Sequence, residues 1–219
     1  MNPDRRYPTF PASLLLAILL LMTLATANLR ILFSLNYIDW RYGRLQEAGA
    51  LSPEWPTAAA AAPVLGFINN DLDALPGLTD REESHLADVR TIRARAYSST
   101  LAGGAALMIT ILLLTAASGR QQLARFMRQA ALTAAGLLGL ALLASMIDFS
   151  WIFDSGHALV FAPDTWLFDA DSTLMRLFPP AFWRSAVSDL AFLTLIELAA
   201  ITGFTYVFDR EPSERPDDD

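Results

Sequence analysis

A chain of 219 residues that is 53% hydrophobic, carries a net charge of −7 and contains no cysteine excludes several classes of protein at once. Without cysteine there is no disulfide, no thiolate nucleophile and no Cys-ligated metal, and 23 acidic residues against 16 basic ones, all of them Arg, leave no basic stripe for nucleic acid. The apolar content makes lipid the expected solvent.

Near the N-terminus, Arg5 and Arg6, an apolar run and Ala25-Thr26-Ala27 imitate a secretory signal with its small-residue cleavage site. We read this segment as a retained first helix. Uncharged stretches at Ser13 to Leu29, Tyr97 to Gly119 and Gln129 to Ile147 approach or exceed the roughly 17 to 25 apolar residues a spanning helix needs. A fourth, Leu190 to Phe208, is interrupted only by Glu197. With no water in the bilayer core, each span must satisfy its own backbone hydrogen bonds as a helix. The expectation is an all-α, four-transmembrane-helix bundle forming one membrane domain, with spans at about 12–34, 97–118, 130–152 and 186–208. Total Arg counts are balanced between the two sides. The positive-inside rule weights short loops, however, and the connector at about 119–129 holds Arg120, Arg125 and Arg128 without an acid. That places the connector, both termini and the acidic tail from about 209 to 219 in the cytoplasm. Segments of about 35–96 and 153–185 then lie outside as a helical and aromatic cap.

The first outer segment contains a Pro- and Ala-rich stretch (Pro53, Pro56, Ala58 to Ala62, Pro63) that reads as irregular connector. Farther on, Thr79-Asp80-Arg81-Glu82 has the spacing of a capping box, so a helix should begin there and run into the second span. On it Glu82, His85, Asp88, Val89 and Ile92 recur at three- and four-residue steps, placing two carboxylates beside an imidazole on one face. Spacing alone favours a solvated, salt-bridged face with Arg81 and Arg90 as partners.

The second outer segment carries His157 next to Gly156, together with Phe153, Phe161, Trp166, Phe168, Phe178, Phe182 and Trp183. Rings of this density suit the headgroup level, where a side chain is half dry and half wet. Asp148, near the outer end of the third span, is close enough to orient a histidine. Glu197 is an ionisable residue inside a span, to be paired with Arg30 or held neutral.

Two strings carry a family resemblance. Glu83-Ser84-His85-Leu86-Ala87-Asp88-Val89 resembles the His-containing stretch before the second span of the bacterial lipoprotein intramolecular transacylases. The stretch from His157 through Trp166-Leu167-Phe168 to Leu177-Phe178-Pro179-Pro180-Ala181-Phe182-Trp183 is similar to that family's second His motif. Departures are Gly156 where the family usually has an aromatic residue, Val160-Phe161 where two aromatics follow, and the Pro/Ala-rich insert.

The resemblance implies transfer of the sn-2 acyl chain of a diacylglyceryl-cysteine lipoprotein to the α-amino group of the same cysteine, without cofactor or metal. The implied catalytic pair is His85 and His157, supported by Glu82, Asp88, Asp148, Asp154 and Trp166. Phe161, Trp166, Phe168, Phe178 and Trp183 would contact substrate. An imidazole can take the ammonium proton and pass it to the leaving alkoxide, a task assigned to His157, while His85 donates to the oxyanion; the reverse assignment stays open. The expected setting is the bacterial inner membrane, a monomer in contact with lipid, with the site on the extracytoplasmic side. Competing readings are a metal-binding membrane protein using His85, His157 and two of Asp88, Asp148 and Asp154, and a transporter with Glu197 as proton relay.

Overall fold

The computed structural model describes residues 10–75 and 77–210, so Arg5, Arg6, Arg215 and the acidic tail beyond Arg210 lie outside the described residues. Seven helices follow in order: α1 (Phe10–Leu32), α2 (Leu35–Glu47), α3 (Ala58–Ile68), α4 (Asp80–Ile147), α5 (Phe149–Val160), α6 (Thr173–Leu177) and α7 (Pro180–Arg210). No strand occurs among the described residues.

Three of these are long and apolar enough to cross a membrane: Ala12–Leu32, Asp80–Ile147 and Pro180–Val207. α4 has 68 residues and as a straight rod would reach about 100 Å. It does not, because Gly119 breaks the helix at φ 76°, ψ 167°, a left-handed conformation that glycine adopts without Cβ strain. Its two arms, 80–118 and 120–147, fold back side by side. Leu107 from the first arm packs in one cluster with Ala130, Ala131 and Ala134 from the second, joined by Leu16, Ala17 and Leu20 of α1 and Leu198 of α7. The connector expected at 119–129 therefore contracts to one residue, and its arginines are helical. Arg125 and Arg128 pair with Asp209 at the end of α7, at 3.4 and 3.3 Å.

Alanines on the second arm let the helices approach closely, as small residues do where lipid replaces the hydrophobic drive. α1 and the first arm are joined by a 2.8 Å hydrogen bond from Thr100 to Thr26. From the other side of α1, the Asn28 amide donates to Thr194 at 3.1 Å and to Glu197 at 2.8 Å. Glu197 is thus satisfied by an amide rather than by Arg30, whose guanidinium lies over the Tyr97 ring. Outward, Leu15, Leu113, Leu140 and Phe204 are each at least 63% exposed, a girdle that suits acyl chains and not water.

At one end of the bundle, α2, α3, α5 and α6 build a cap. Ser34 caps α2 by accepting the Tyr37 N–H. α3 runs through the stretch expected to be irregular, because five successive alanines after the Thr57 cap position favour helix. Pro63 sits inside α3, and the helix holds because Ala58, Ala61, Val64, Leu65, Phe67 and Ile68 are all buried. The third span also ends earlier than expected: α4 stops at Ile147, Asp148 leaves helical geometry, and α5 starts anew.

Candidate active site

The capping box forms as its spacing dictates: the Thr79 hydroxyl accepts the Glu82 N–H, and the Glu82 carboxylate accepts the Thr79 N–H at 2.9 Å. This fixes the start of α4 and, one turn later, His85. On α5 the Asp148 carboxylate accepts the Trp151 N–H at 2.9 Å, setting the origin of the helix on which Ser150, Phe153, Asp154 and His157 face inward.

Between these two helices lies a cavity of about 380 Å³. Both imidazoles line it, with Asp154, Trp166, Phe168, Phe178, Trp183 and Arg184 around them and an apolar end formed by α1, α2 and α3. The rings share a neighbour. Phe161 stands with its centroid 4.8 Å from that of His85 and 5.3 Å from that of His157, so residues 72 positions apart in sequence meet across one phenyl ring. Phe168 closes on His85 at 5.4 Å. Trp166 and Phe153 close on His157 at 4.9 and 3.9 Å.

The two imidazoles are held differently. His157 Nδ1 lies 2.8 Å from the Phe153 carbonyl oxygen, whereas His85 Nδ1 is buried with no hydrogen-bond partner. Burial, and after it the nearness of His157, bring the His85 pKa down to about 4 against an opposing pull from Asp88, so this ring is neutral at neutral pH. Burial also lowers the His157 pKa, against the raising effects of the Phe153 carbonyl and Asp154.

The carboxylates expected to assist are placed as follows. Asp154 faces His157 from within the cavity lining. Asp88 acts on His85 through its charge and makes no hydrogen bond to the unpartnered Nδ1. Glu82 spends its carboxylate elsewhere, on Thr79 and on the Leu174 N–H at 3.0 Å. Burial opposes its charge, but these donors prevail and hold the carboxyl below its ordinary value. Asp148 caps α5, and the His157 Nδ1 is taken by Phe153 while the His85 Nδ1 has no partner. Among the described residues no group of three or more His, Asp or Glu side chains is placed to hold a metal ion, so the proposed four-ligand set does not assemble.

The sequence reading missed the contribution of α2 and α3. Ile38, Leu65 and Ile68 line the cavity, and the Tyr42 hydroxyl donates to the Leu177 carbonyl, with burial pushing that phenol up to about 12. The available signal was Ser34-Leu35-Asn36-Tyr37, a Ser cap ahead of a helical run.

A helical bundle with an outward apolar girdle and a mostly apolar cavity bearing two imidazoles defines an integral membrane protein whose site suits proton transfer on an amphiphilic substrate. The family model for the lipoprotein intramolecular transacylase Lit matches residues 9–183, and the chain belongs to that family: it is an acyltransferase-type enzyme, a lipoprotein intramolecular transacylase. Its fold is similar to that of the membrane integral lipoprotein intramolecular transacylase Lit from Bacillus cereus, with a TM-score of 0.70 at 15% identity, covering 90% of this chain and 93% of that one. Two structures of that protein with a histidine replaced by alanine or by arginine give TM-scores of 0.66 and 0.62 at 14% identity, each covering 90% of this chain and 91% of that one. No curated protein matches the chain.

Proposed function

We propose that the enzyme moves the sn-2 acyl chain of a diacylglyceryl-cysteine lipoprotein to the α-amino group of that cysteine, with His157 as base and His85 as oxyanion donor. The observation that carries this reading is the pair of imidazoles against Phe161 in one cavity, one with its Nδ1 tied to a backbone carbonyl and the other neutral.

A carbonyl oxygen only accepts, so His157 Nδ1 carries the hydrogen and Nε2 is left with a lone pair. The substrate amine attacks the ester carbonyl carbon, and the tetrahedral intermediate carries an ammonium and an oxyanion. His157 Nε2 takes the ammonium proton and returns it to the sn-2 oxygen as the C–O bond breaks. An amide and a free hydroxyl result, with no change in mass. His85, kept uncharged by burial, supplies a neutral N–H to the oxyanion, a role suited to an imidazole of depressed pKa. Asp154 accepts a hydrogen bond from the neutral amine and Asp88 steadies His85 by charge. Trp166, Phe168, Phe178 and Trp183 exclude water and hold ester and amine together.

Four membrane passes fit this assignment: α1, the two arms of α4, and α7. The cavity faces the extracytoplasmic side, because Arg120, Arg125 and Arg128 lie at the opposite end of the bundle. α5 and the end of α4 before it lie on the outer leaflet, a setting that suits the exposed side chains of Ile147 (88%), Trp151 (62%) and Leu159 (87%). The test is to incubate purified enzyme with a diacylglyceryl lipopeptide bearing a free N-terminus. Fragmentation mass spectrometry should find the acyl group on nitrogen at unchanged mass. Hydrolysed acid, or no reaction with the free amine, would refute the proposal, and an N-acetylated substrate should be inert.

A further inference from the structure

Glu82 is 2% exposed, yet it forms no ion pair among the described residues. Its two oxygens do different things. Oε2 accepts from the Thr79 N–H and hydroxyl, each at 2.9 Å, closing the start of α4. Oε1 accepts the Leu174 N–H at 3.0 Å, a buried bond to a residue 92 positions away.

Leu174 belongs to α6, a helix of five residues, too short to persist by itself. It is gripped at its other end by Tyr42, whose hydroxyl donates to the Leu177 carbonyl. Between those grips α6 contributes Leu174 and Met175, and just beyond it Phe178, to the cavity wall. One turn along α4 from Glu82 stands His85.

We propose that Glu82 is a positioning residue that fastens the His85-bearing helix to α6 and so fixes the wall of the acyl cavity opposite that imidazole; the kinetic part of this rests on the cavity being the acyl-transfer site. A carboxylate is the side chain that can do this, since it offers about four lone-pair sites and no hydrogen. A glutamine would turn an NH₂ group toward one of the N–H donors, and an aspartate is one methylene too short to serve both Thr79 and Leu174.

The cysteine-free chain allows the clamp to be read directly. Spin labels at Ser84 and Arg176, both exposed, report the distance between the start of α4 and α6 by pulsed electron paramagnetic resonance. The parent protein gives one narrow distribution. Glu82→Gln broadens it, and Glu82→Asp, which keeps the charge and the local cap, broadens it as well. Thr79→Ala weakens the helix start alone, lowering Tm while leaving the distribution narrow and KM unmoved. With a diacylglyceryl lipopeptide, the Glu82 variants raise KM roughly tenfold and change kcat less. A distribution as narrow in both Glu82 variants as in the parent overturns the proposal. So does broadening by Thr79→Ala equal to that of the Glu82 variants, because Glu82 would then act only through the helix cap. The distance is measured without substrate, so absence of acyl transfer beside intact distances counts against the functional reading alone.

Discussion

The Nδ1 atom of His157 lies 2.8 Å from the carbonyl oxygen of Phe153, one helical turn earlier on α5. The helix itself therefore sets the tautomer and aims Nε2 away from the backbone. An asparagine at this position places an N–H donor near that of Nδ1 but has nothing to replace Nε2. His157→Asn should keep the Tm of the parent within a few degrees while kcat falls by about 10² to 10⁴-fold, the usual contribution of a general base. His157→Ala should lose the same activity and some stability besides. Thermal melts in detergent, paired with kcat, separate the two effects; an asparagine variant that retains activity would remove His157 as the base.

Two groups must be uncharged for attack: the substrate amine, with a reference pKa of about 7.7 to 8.0, and His157, held below the ordinary 6.5. Log(kcat/KM) should fall by about one unit per pH unit below the amine pKa, then by about two per unit once pH drops below that of His157. Residual activity of His157→Asn should follow a slope of one throughout. A parent profile that runs parallel to that of His157→Asn along the whole acid limb contradicts the assignment.

His85 ties stability to acidity. The unfolded chain takes up a proton at this residue near pH 6.5, whereas the folded protein does so only at about 4. The stability it brings is complete above 6.5 and is lost as pH falls from 6.5 toward 4, because the unfolded state binds more protons in that window. The depressed His157 acts in the same direction. His85→Phe should lower kcat through loss of the oxyanion donor, by about 10² to 10³-fold. It should also show a smaller drop in Tm between pH 7.5 and pH 5 than the parent. An equal drop would mean that His85 is not buried as a neutral ring.

Neighbouring glycines in the first arm of α4 should respond in opposite ways. A Cβ on Gly103 would press into the Thr23 hydroxyl of α1, whereas one on Gly104 meets nothing. Gly103→Ala should lower Tm by several degrees, since overpacking costs about 1 to 3 kcal/mol, and Thr23→Ala in the same chain should restore most of it. Gly104→Ala should be neutral or slightly stabilising. Melting curves of these variants check how closely α1 and α4 approach.

The apolar runs, the capping box at Thr79 and Glu82, and the two histidine motifs were legible because each is a local signal with a fixed period or spacing. What lay beyond the sequence was mostly the product of single residues acting over distance. Gly119 replaces a loop with one left-handed residue; the change from apolar run to Arg120 marks where the chain turns, but not that a single residue makes the turn. The end of an apolar run near the histidines suggests Asp148 as a partner for one of them; its short side chain instead reaches the backbone three residues ahead. Helical spacing groups Glu82 with His85, but its second oxygen is taken by Leu174, a contact set by how α6 packs. α3 was hidden by its prolines, since burial of its apolar side offsets what Pro63 removes.

In the proposed reaction, acyl donor and amine belong to one molecule held over two imidazoles. This is tested most directly by mixing two diacylglyceryl lipopeptides, one isotopically heavy in both peptide and sn-2 chain and the other light in both, and weighing the N-acylated products. Intramolecular transfer yields only heavy chains on heavy peptides and light chains on light peptides, with both products cut by about 10² to 10⁴-fold when His157 is replaced by asparagine. Products that combine a heavy chain with a light peptide would contradict it.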